Sequence, residues 1–257
     1  MDVMLFGHVC VEVRGRSVDL GPPAQRALLG LLALYAPAAA PYGTIVATLW
    51  PDDPPRSARA TVQKYVQRLR AALGPECPPR QRGHVLRTCG DTYALTIGRE
   101  RVDVSRFRAR FAHVAALRAA RDPAYEAALA DVIDHADDPV ALDVPLLGAS
   151  PRVLAVKAEQ AKLVDWYADL RIAAGRADEV VGLVREQAAL RPLDEDSQAR
   201  LIAVYRQIGC RSAAVDVYLR ARRHLSDILG LDPGPELEDA YRSVLAPVSA
   251  AGLTARA

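Results

Sequence analysis

Arg59, Gln63, Lys64, Gln67 and Arg70 lie at helical spacing within the stretch SARATVQKYVQRLRAAL, Ser57 to Leu73. Arg and Lys meet phosphate oxygens, and Arg, Lys and Gln fork onto base edges, so the chemistry available to this set is recognition of a DNA duplex through its major groove. Ala58, Val62, Tyr65, Val66, Leu69 and Leu73 fall between them as an apolar stripe. The segment is therefore predicted to be an amphipathic helix with a cationic, amide-rich outer face. An ordinary solvated helix shows a similar pattern, so the wider distribution of charge has to decide.

The whole chain of 257 residues carries a formal net charge of only +2. Residues 1–101 nevertheless hold 13 Lys/Arg against 8 Asp/Glu, a net of +5, and residues 102–257 hold 20 against 23, a net of −3. Between Arg56 and Arg87 there are eight basic residues (Arg56, Arg59, Lys64, Arg68, Arg70, Arg80, Arg82 and Arg87) against one acid, Glu76. A local field of that sign draws in a phosphate backbone. The second half of the chain has no such field.

Other chemistries find little support. There is no phosphate-cradling Gly-x-x-x-x-Gly-Lys-Ser/Thr, no Gly-x-Ser-x-Gly, no His-Glu-x-x-His and no dinucleotide glycine pattern. Of the five histidines, His135 alone stands in an acidic cluster, beside Asp134, Asp137 and Asp138, and a solvated helix end is the simpler reading. Cys10, Cys77, Cys89 and Cys210 form no Cys-x-x-Cys and no metal spacing with His, so free thiols are expected, with no metal and no cofactor. The start, MDVMLFGHVCVEV, lacks a basic leader, and the apolar run Leu28 to Ala40 is broken by Tyr35 and Pro37. A soluble, cytoplasmic, nucleoid-associated protein that is not an enzyme is the expectation.

The elements that must hold the cationic helix can be read on either side of it. Strand signals at Val3 to Phe6, Val9 to Val13 and Arg16 to Leu20 predict a small antiparallel sheet, with a tight turn at Arg14-Gly15. Pro22-Pro23 starts a leucine-rich helix to about Tyr35. A second short helix, Tyr42 to Leu49, ends at Trp50-Pro51. Asp52-Asp53-Pro54-Pro55 is a loop, Ser57 the expected N-cap of the cationic helix and Gly74-Pro75 its stop. After the Pro- and Arg-rich loop Glu76 to Gly83, Val85 to Thr88 and Thr92 to Ile97 form a hairpin across Cys89-Gly90-Asp91. This order is that of a winged helix-turn-helix domain preceded by a small sheet.

From Val102 the chain reads as helices: Ser105 to Ala120, Pro123 to Ala136, Arg152 to Ala174, Ala177 to Arg191, Glu195 to Ile208, Ser212 to Leu229 and Pro235 to Leu245. Gly175 and Gly209, each between two helices, are 34 residues apart, the period of tetratricopeptide repeats. Leu170 aligns with Val204 and Leu183 with Val217, whereas other positions show no match; an unrelated helical bundle is the alternative. The fold class expected is mainly α with small β. Residues 1–101 form the winged-helix DNA-binding domain and 102–257 an all-α, tetratricopeptide-like domain.

LGPPAQRALLGLLAL at 20–34, IVATLWPDDPP at 45–55, VQKYVQRLRAALG at 62–74, RPLDED at 191–196 and AVDVYLRARRHLSDILGLDPGPELEDAYRSVL at 214–245 resemble the Streptomyces antibiotic regulatory protein family from about Val3 to Pro247. These are activators that join an OmpR-type winged helix to a bacterial transcriptional activator domain. The resemblance implies an activator of a secondary-metabolite gene cluster that binds tandem DNA repeats as a homodimer and holds RNA polymerase, sigma factor included, at the promoter.

Carried onto this sequence, the resemblance makes Ser57 to Leu73 the recognition helix. Arg59, Gln63, Lys64, Gln67 and Arg70 are its groove or phosphate candidates and Arg68 a backbone contact. Val85 to Ile97 is the wing, with Arg87 and Thr88 as contacts. Trp50, Asp52 and Asp53 lie on the loop that faces the polymerase in similar proteins. Relatives commonly carry a basic residue and a terminal Gly-Tyr in the wing; here Cys89 stands near the basic place and Thr92 precedes Tyr93. Val132 to Leu147 is acidic and lacks the Trp-Arg-Gly type segment of relatives. A repeat-type interaction adaptor that does not bind DNA is the alternative function.

Overall fold

Leu28, Leu29, Leu31 and Leu32 are fully buried in a helix spanning Pro23–Tyr35 (α1), and the first part of the chain is assembled around them. The computed structural model describes residues 1–74 and 85–246; the loop Glu76 to Gly83, with Cys77, Arg80 and Arg82, lies outside the described residues, as does His84. Two compact units are present, Met1–Gln160 and Ala161–Ala257.

In the first unit, β1 (Asp2–Met4), β2 (Cys10–Val13) and β3 (Arg16–Ser17) form an antiparallel sheet in that order, with Val3 opposite Val11. Arg14 and Gly15 both take positive φ, 53° and 74°, the geometry of a two-residue hairpin whose twist matches its strands. Pro23 opens α1 at its first turn, where a missing N–H costs nothing. A second antiparallel sheet has the order β4 (Ala39–Pro41), β6 (Thr92–Leu95), β5 (Leu86–Cys89). The strand β4 was not expected, because Ala and Pro have low strand propensity. Its Ala40, opposite Tyr93, is fully buried, and its Pro41 sits at the end of an edge strand, where proline is tolerated. The helices α2 (Tyr42–Leu49) and α3 (Ala58–Leu73) follow β4.

The compact division does not coincide with the boundary expected at residue 101. The reason lies in α4 (Asp103–Ala120) and in the segment after α5 (Tyr125–Ile133). The Asp103 carboxylate accepts from the N–H groups of Leu5 (2.8 Å), Phe6 (2.9 Å) and Val104 (2.6 Å). These bonds satisfy donors at the end of β1 and the start of α4 together; burial pushes the Asp103 carboxyl upward while its three backbone donors pull it down. The acidic stretch 132–147 folds back on the same sheet. Gly7 N–H donates to Pro139 O (2.6 Å), Ala141 and Leu142 N–H donate to Leu5 O and Gly7 O (2.7 Å each), and Asp143 accepts from Val9 N–H (2.8 Å) and pairs with Arg26 (2.7 Å). Val140, Val144 and Leu147 are buried. Leu147 lies so close over Gly30 of α1 that a Cβ there would stand 2.7 Å from its Cδ1.

The helix α6 (Pro151–Ala173) starts in the first unit and ends in the second, which continues with a 3-10 turn at Ala177–Val180, α7 (Val181–Leu190), α8 (Glu195–Gln207), α9 (Arg211–His224) and α10 (Pro235–Leu245). The expected helix to Leu229 finishes as a π turn, Leu225–Leu229, closed by Gly230 in the left-handed region. The 34-residue period is visible in the backbone. Arg176 N–H donates to Arg171 O and Cys210 N–H to Tyr205 O (2.8 Å each), while Gly175 (φ 76°) and Gly209 (φ 80°) supply the left-handed residue of each Schellman turn. Gln207 joins the two levels, its Nε2 donating to Ile172 O (2.9 Å) and its Oε1 accepting from Ala177 N–H (3.2 Å).

Candidate nucleic-acid interface

The outer face of α3 is set by what its inner face buries. Ala58, Val62, Val66, Leu69 and Leu73 are all buried and Tyr65 is half-buried, the stripe read from the sequence. At about 100° per residue, the direction opposite this stripe is occupied by Ala60, Lys64, Gln67 and Ala71, with Arg68 and Gln63 on its flanks. Gln63, Lys64, Gln67 and Arg68 are exposed, and their side chains make no hydrogen bond or ion pair among the described residues. Two alanines at the apex leave backbone and long side chains free to approach a flat or concave partner closely. Ser57 occupies the N-cap position without a side-chain capping bond; Ala58 N–H donates to Pro55 O (2.8 Å) and Thr61 N–H to Ser57 O (2.9 Å). The helix is thus started by its proline loop rather than by the serine hydroxyl.

Arg59 and Arg70 are placed differently from the other four. Arg70 donates through Nε to Leu86 O (2.9 Å) and through NH2 to Thr88 Oγ1 (2.8 Å), which ties the last turns of α3 to β5. Arg59 pairs with Asp91 in the hairpin turn at 2.8 Å and lies 4.5 Å over the Tyr42 ring at the start of α2. The hydrogen bond between Arg59 and Asp91 holds the guanidinium charged and lowers the Asp91 carboxyl below its ordinary range. Both arginines therefore hold the wing against the helix, and their cationic heads are already partnered. No local pattern signals this, since Asp91 and Tyr42 lie far from Arg59 along the chain.

On the hairpin, Arg87 is exposed and Thr88 is engaged by Arg70. Successive residues of a strand point to opposite faces, so Arg87 and Thr88 do not act on one surface. Tyr93, buried within β6 of the hairpin, has its hydroxyl pushed up by that burial. Of the polymerase-loop candidates, Asp52 and Asp53 are exposed, and Trp50 is half-buried with its backbone N–H donating to Val46 O (2.8 Å). His135 pairs with Asp138 through Nδ1 (2.8 Å) and its ring stacks on Phe6 with centroids 5.8 Å apart. Among the described residues no three His, Cys, Asp or Glu side chains converge on a metal-sized site, and no helix is long and apolar enough to cross a membrane.

A three-helix core with a hairpin wing, joined in one chain to helices of a 34-residue period, is the layout of a winged helix-turn-helix protein with a repeat-like helical domain. Residues 102–245 match the family described as "Bacterial transcriptional activator domain", and the chain belongs to that family. It is 28% identical over 246 residues to the transcriptional regulatory protein MoaR1 of Mycobacterium bovis, covering 94% of this chain and 78% of that one. It is also 28% identical over 266 residues to the regulatory protein DnrI of Streptomyces peucetius, covering 95% and 92%. The solved structure of Mycobacterium tuberculosis EmbR in complex with a low-affinity phosphopeptide superposes with a TM-score of 0.75 at 28% identity. That match covers 96% of this chain and 66% of the EmbR chain. These relatives bear out the resemblance to the Streptomyces antibiotic regulatory proteins and the transcriptional activator class.

Proposed function

We propose that the chain is a sequence-specific DNA-binding activator of a secondary-metabolite gene cluster, which binds tandem repeats as a homodimer and recruits RNA polymerase. The observation that carries this reading is the exposed set Gln63, Lys64, Gln67 and Arg68, whose side chains have no partner among the described residues, on a helix whose other side is anchored in the core. Gln63, Lys64 and Gln67 read base edges and Arg68 meets phosphate, while Arg59 and Arg70 serve recognition by fixing the wing. Arg87 reaches the backbone from the hairpin. One helix of this kind reads a few base pairs, so two subunits on repeats about one helical turn apart, roughly 10–11 base pairs, supply the specificity. Asp52 and Asp53, exposed beside the half-buried Trp50, offer an acidic surface to a basic patch of the sigma factor.

The test is a gel shift on the promoters flanking the chain's own gene, repeated across salt concentrations. Binding is expected to fall steeply as salt rises, because phosphate contacts release counterions. Affinity that is flat with salt, or a footprint on one isolated repeat, overturns the reading in favour of an adaptor or of a monomeric binder.

A further inference from the structure

A half-open cavity of about 880 Å³ in the first unit lies between the last turn of α1 with the loop after it, the 3-10 turn Arg99–Arg101, α4 and the start of α6. Five arginines line it: Arg99, Arg106, Arg108, Arg110 and Arg152. Among the described residues fewer acids stand against them: Glu100 in the wall, Glu159 behind it, and Asp103, which acts on Arg106. A structural ion-pair network matches its charges, and this one does not. Three of the arginines are held in place. Arg108 makes a forked pair with Glu159 (2.8 and 3.0 Å), Arg106 donates to Glu100 O (3.0 Å), and Arg152 stacks 3.7 Å over the Tyr35 ring and donates to Leu34 O (3.3 Å). Each guanidinium carries five N–H donors, so most of theirs are unused. Arg99 and Arg110 are exposed and have no side-chain partner among the described residues.

The volume falls in the range of small-molecule sites. Part of the wall, with Leu34, Val104 and Ala109, is apolar and fits a carbon skeleton rather than a bare ion. We propose that this arginine cleft binds a small organic polyanion carrying two or more phosphate or carboxylate groups, which supplies the missing negative charge. Such anions suit arginine because its planar fork accepts both oxygens of one group, and pre-ordered forks lose less freedom on binding. The site is separate from the α3 face and does not depend on the DNA-binding reading.

Titration calorimetry on the full chain tests it with pyrophosphate, citrate and inorganic phosphate as probes. Pyrophosphate or citrate is expected to bind saturably and inorganic phosphate much more weakly; the tighter of the first two identifies phosphate esters or polycarboxylates as the source. Substituting Arg99→Ala and Arg110→Ala together is expected to weaken binding by about tenfold or more with the melting temperature of the free protein unchanged, since neither side chain has a partner among the described residues. Lys64→Ala with Arg68→Ala is expected to leave it intact. Absence of saturable binding, or its loss in the Lys64/Arg68 variant instead of the Arg99/Arg110 variant, overturns the proposal.

Discussion

Side chains that look alike in the sequence separate into two kinds once their partners are known. Lys64 and Arg68, on the apex and flank of α3, have no side-chain partner among the described residues, whereas Arg59 and Arg70 are bonded to the hairpin. Lys64→Ala is therefore expected to weaken promoter binding by about 1–3 kcal/mol if its ammonium reads a base, and Arg68→Ala to weaken specific and nonspecific DNA alike with a shallower salt slope. Neither is expected to change thermal stability. Arg70→Ala is expected to lower DNA affinity and the melting temperature together, because it releases Leu86 O and Thr88 from α3; calorimetry alongside the gel shift separates the two kinds. In the second unit, Tyr218 is buried, stacks on Tyr241 at 3.9 Å and donates a short hydrogen bond to Glu238. Burial first, and then that carboxylate, push its hydroxyl up to about 12. A folded pKa above the unfolded value means that the contribution is complete below the ordinary tyrosine range and is lost as pH rises through about 12. The absorbance of phenolate should show one tyrosine ionising late, and Tyr218→Phe should remove that step.

Elements were legible where one local pattern dominates. The stripe of α3, the proline start of α1, the Arg14-Gly15 hairpin and the glycines at a 34-residue interval each follow from a rule acting over a few residues, and the structure carries all four. What the sequence did not show depends on distant partners. The strand Ala39–Pro41 exists because β6 offers it an edge, and Arg59 finds Asp91 only through the fold. The local rules also give stability predictions of opposite sign. Gly209 takes φ 80°, so Gly209→Ala is expected to cost about 1–2 kcal/mol through the left-handed backbone, although nothing lies within 4 Å of the new methyl. Gly182 lies in α7 with equally open space and no positive φ, and Gly182→Ala is expected to add roughly 0.5–1 kcal/mol by removing unfolded-state entropy. Urea denaturation of both variants checks the pair, and effects of the same sign would show that backbone geometry is not what distinguishes these glycines.

The molecule as a whole is not divided where its charge and helix content change. Composition turns from basic and mixed to acidic and helical near residue 101, and the family match begins at residue 102, yet the first compact unit runs to Gln160. The hairpin and α3 rest on a base that includes residues from beyond the family boundary. Asp103 caps the end of β1, the parallel bridge of Val3 with Val102 extends the sheet, and Val140, Val144 and Leu147 cover it and α1. Phe107 joins this core through an edge contact with Phe6 at 5.5 Å. Each such side chain is worth about 1.5–3 kcal/mol when buried, and several together equal the net stability of a typical domain, about 5–15 kcal/mol. A fragment of residues 1–101 is accordingly expected to melt without a cooperative transition and to bind DNA weakly, although every residue proposed to face the groove is present in it. A fragment of residues 1–160 is expected to melt sharply and to keep the salt-dependent DNA affinity per subunit. Circular dichroism melting of the two fragments decides the matter. An equally sharp transition in the shorter one would mean that the α4 to α6 segment rests on the winged helix without supporting it.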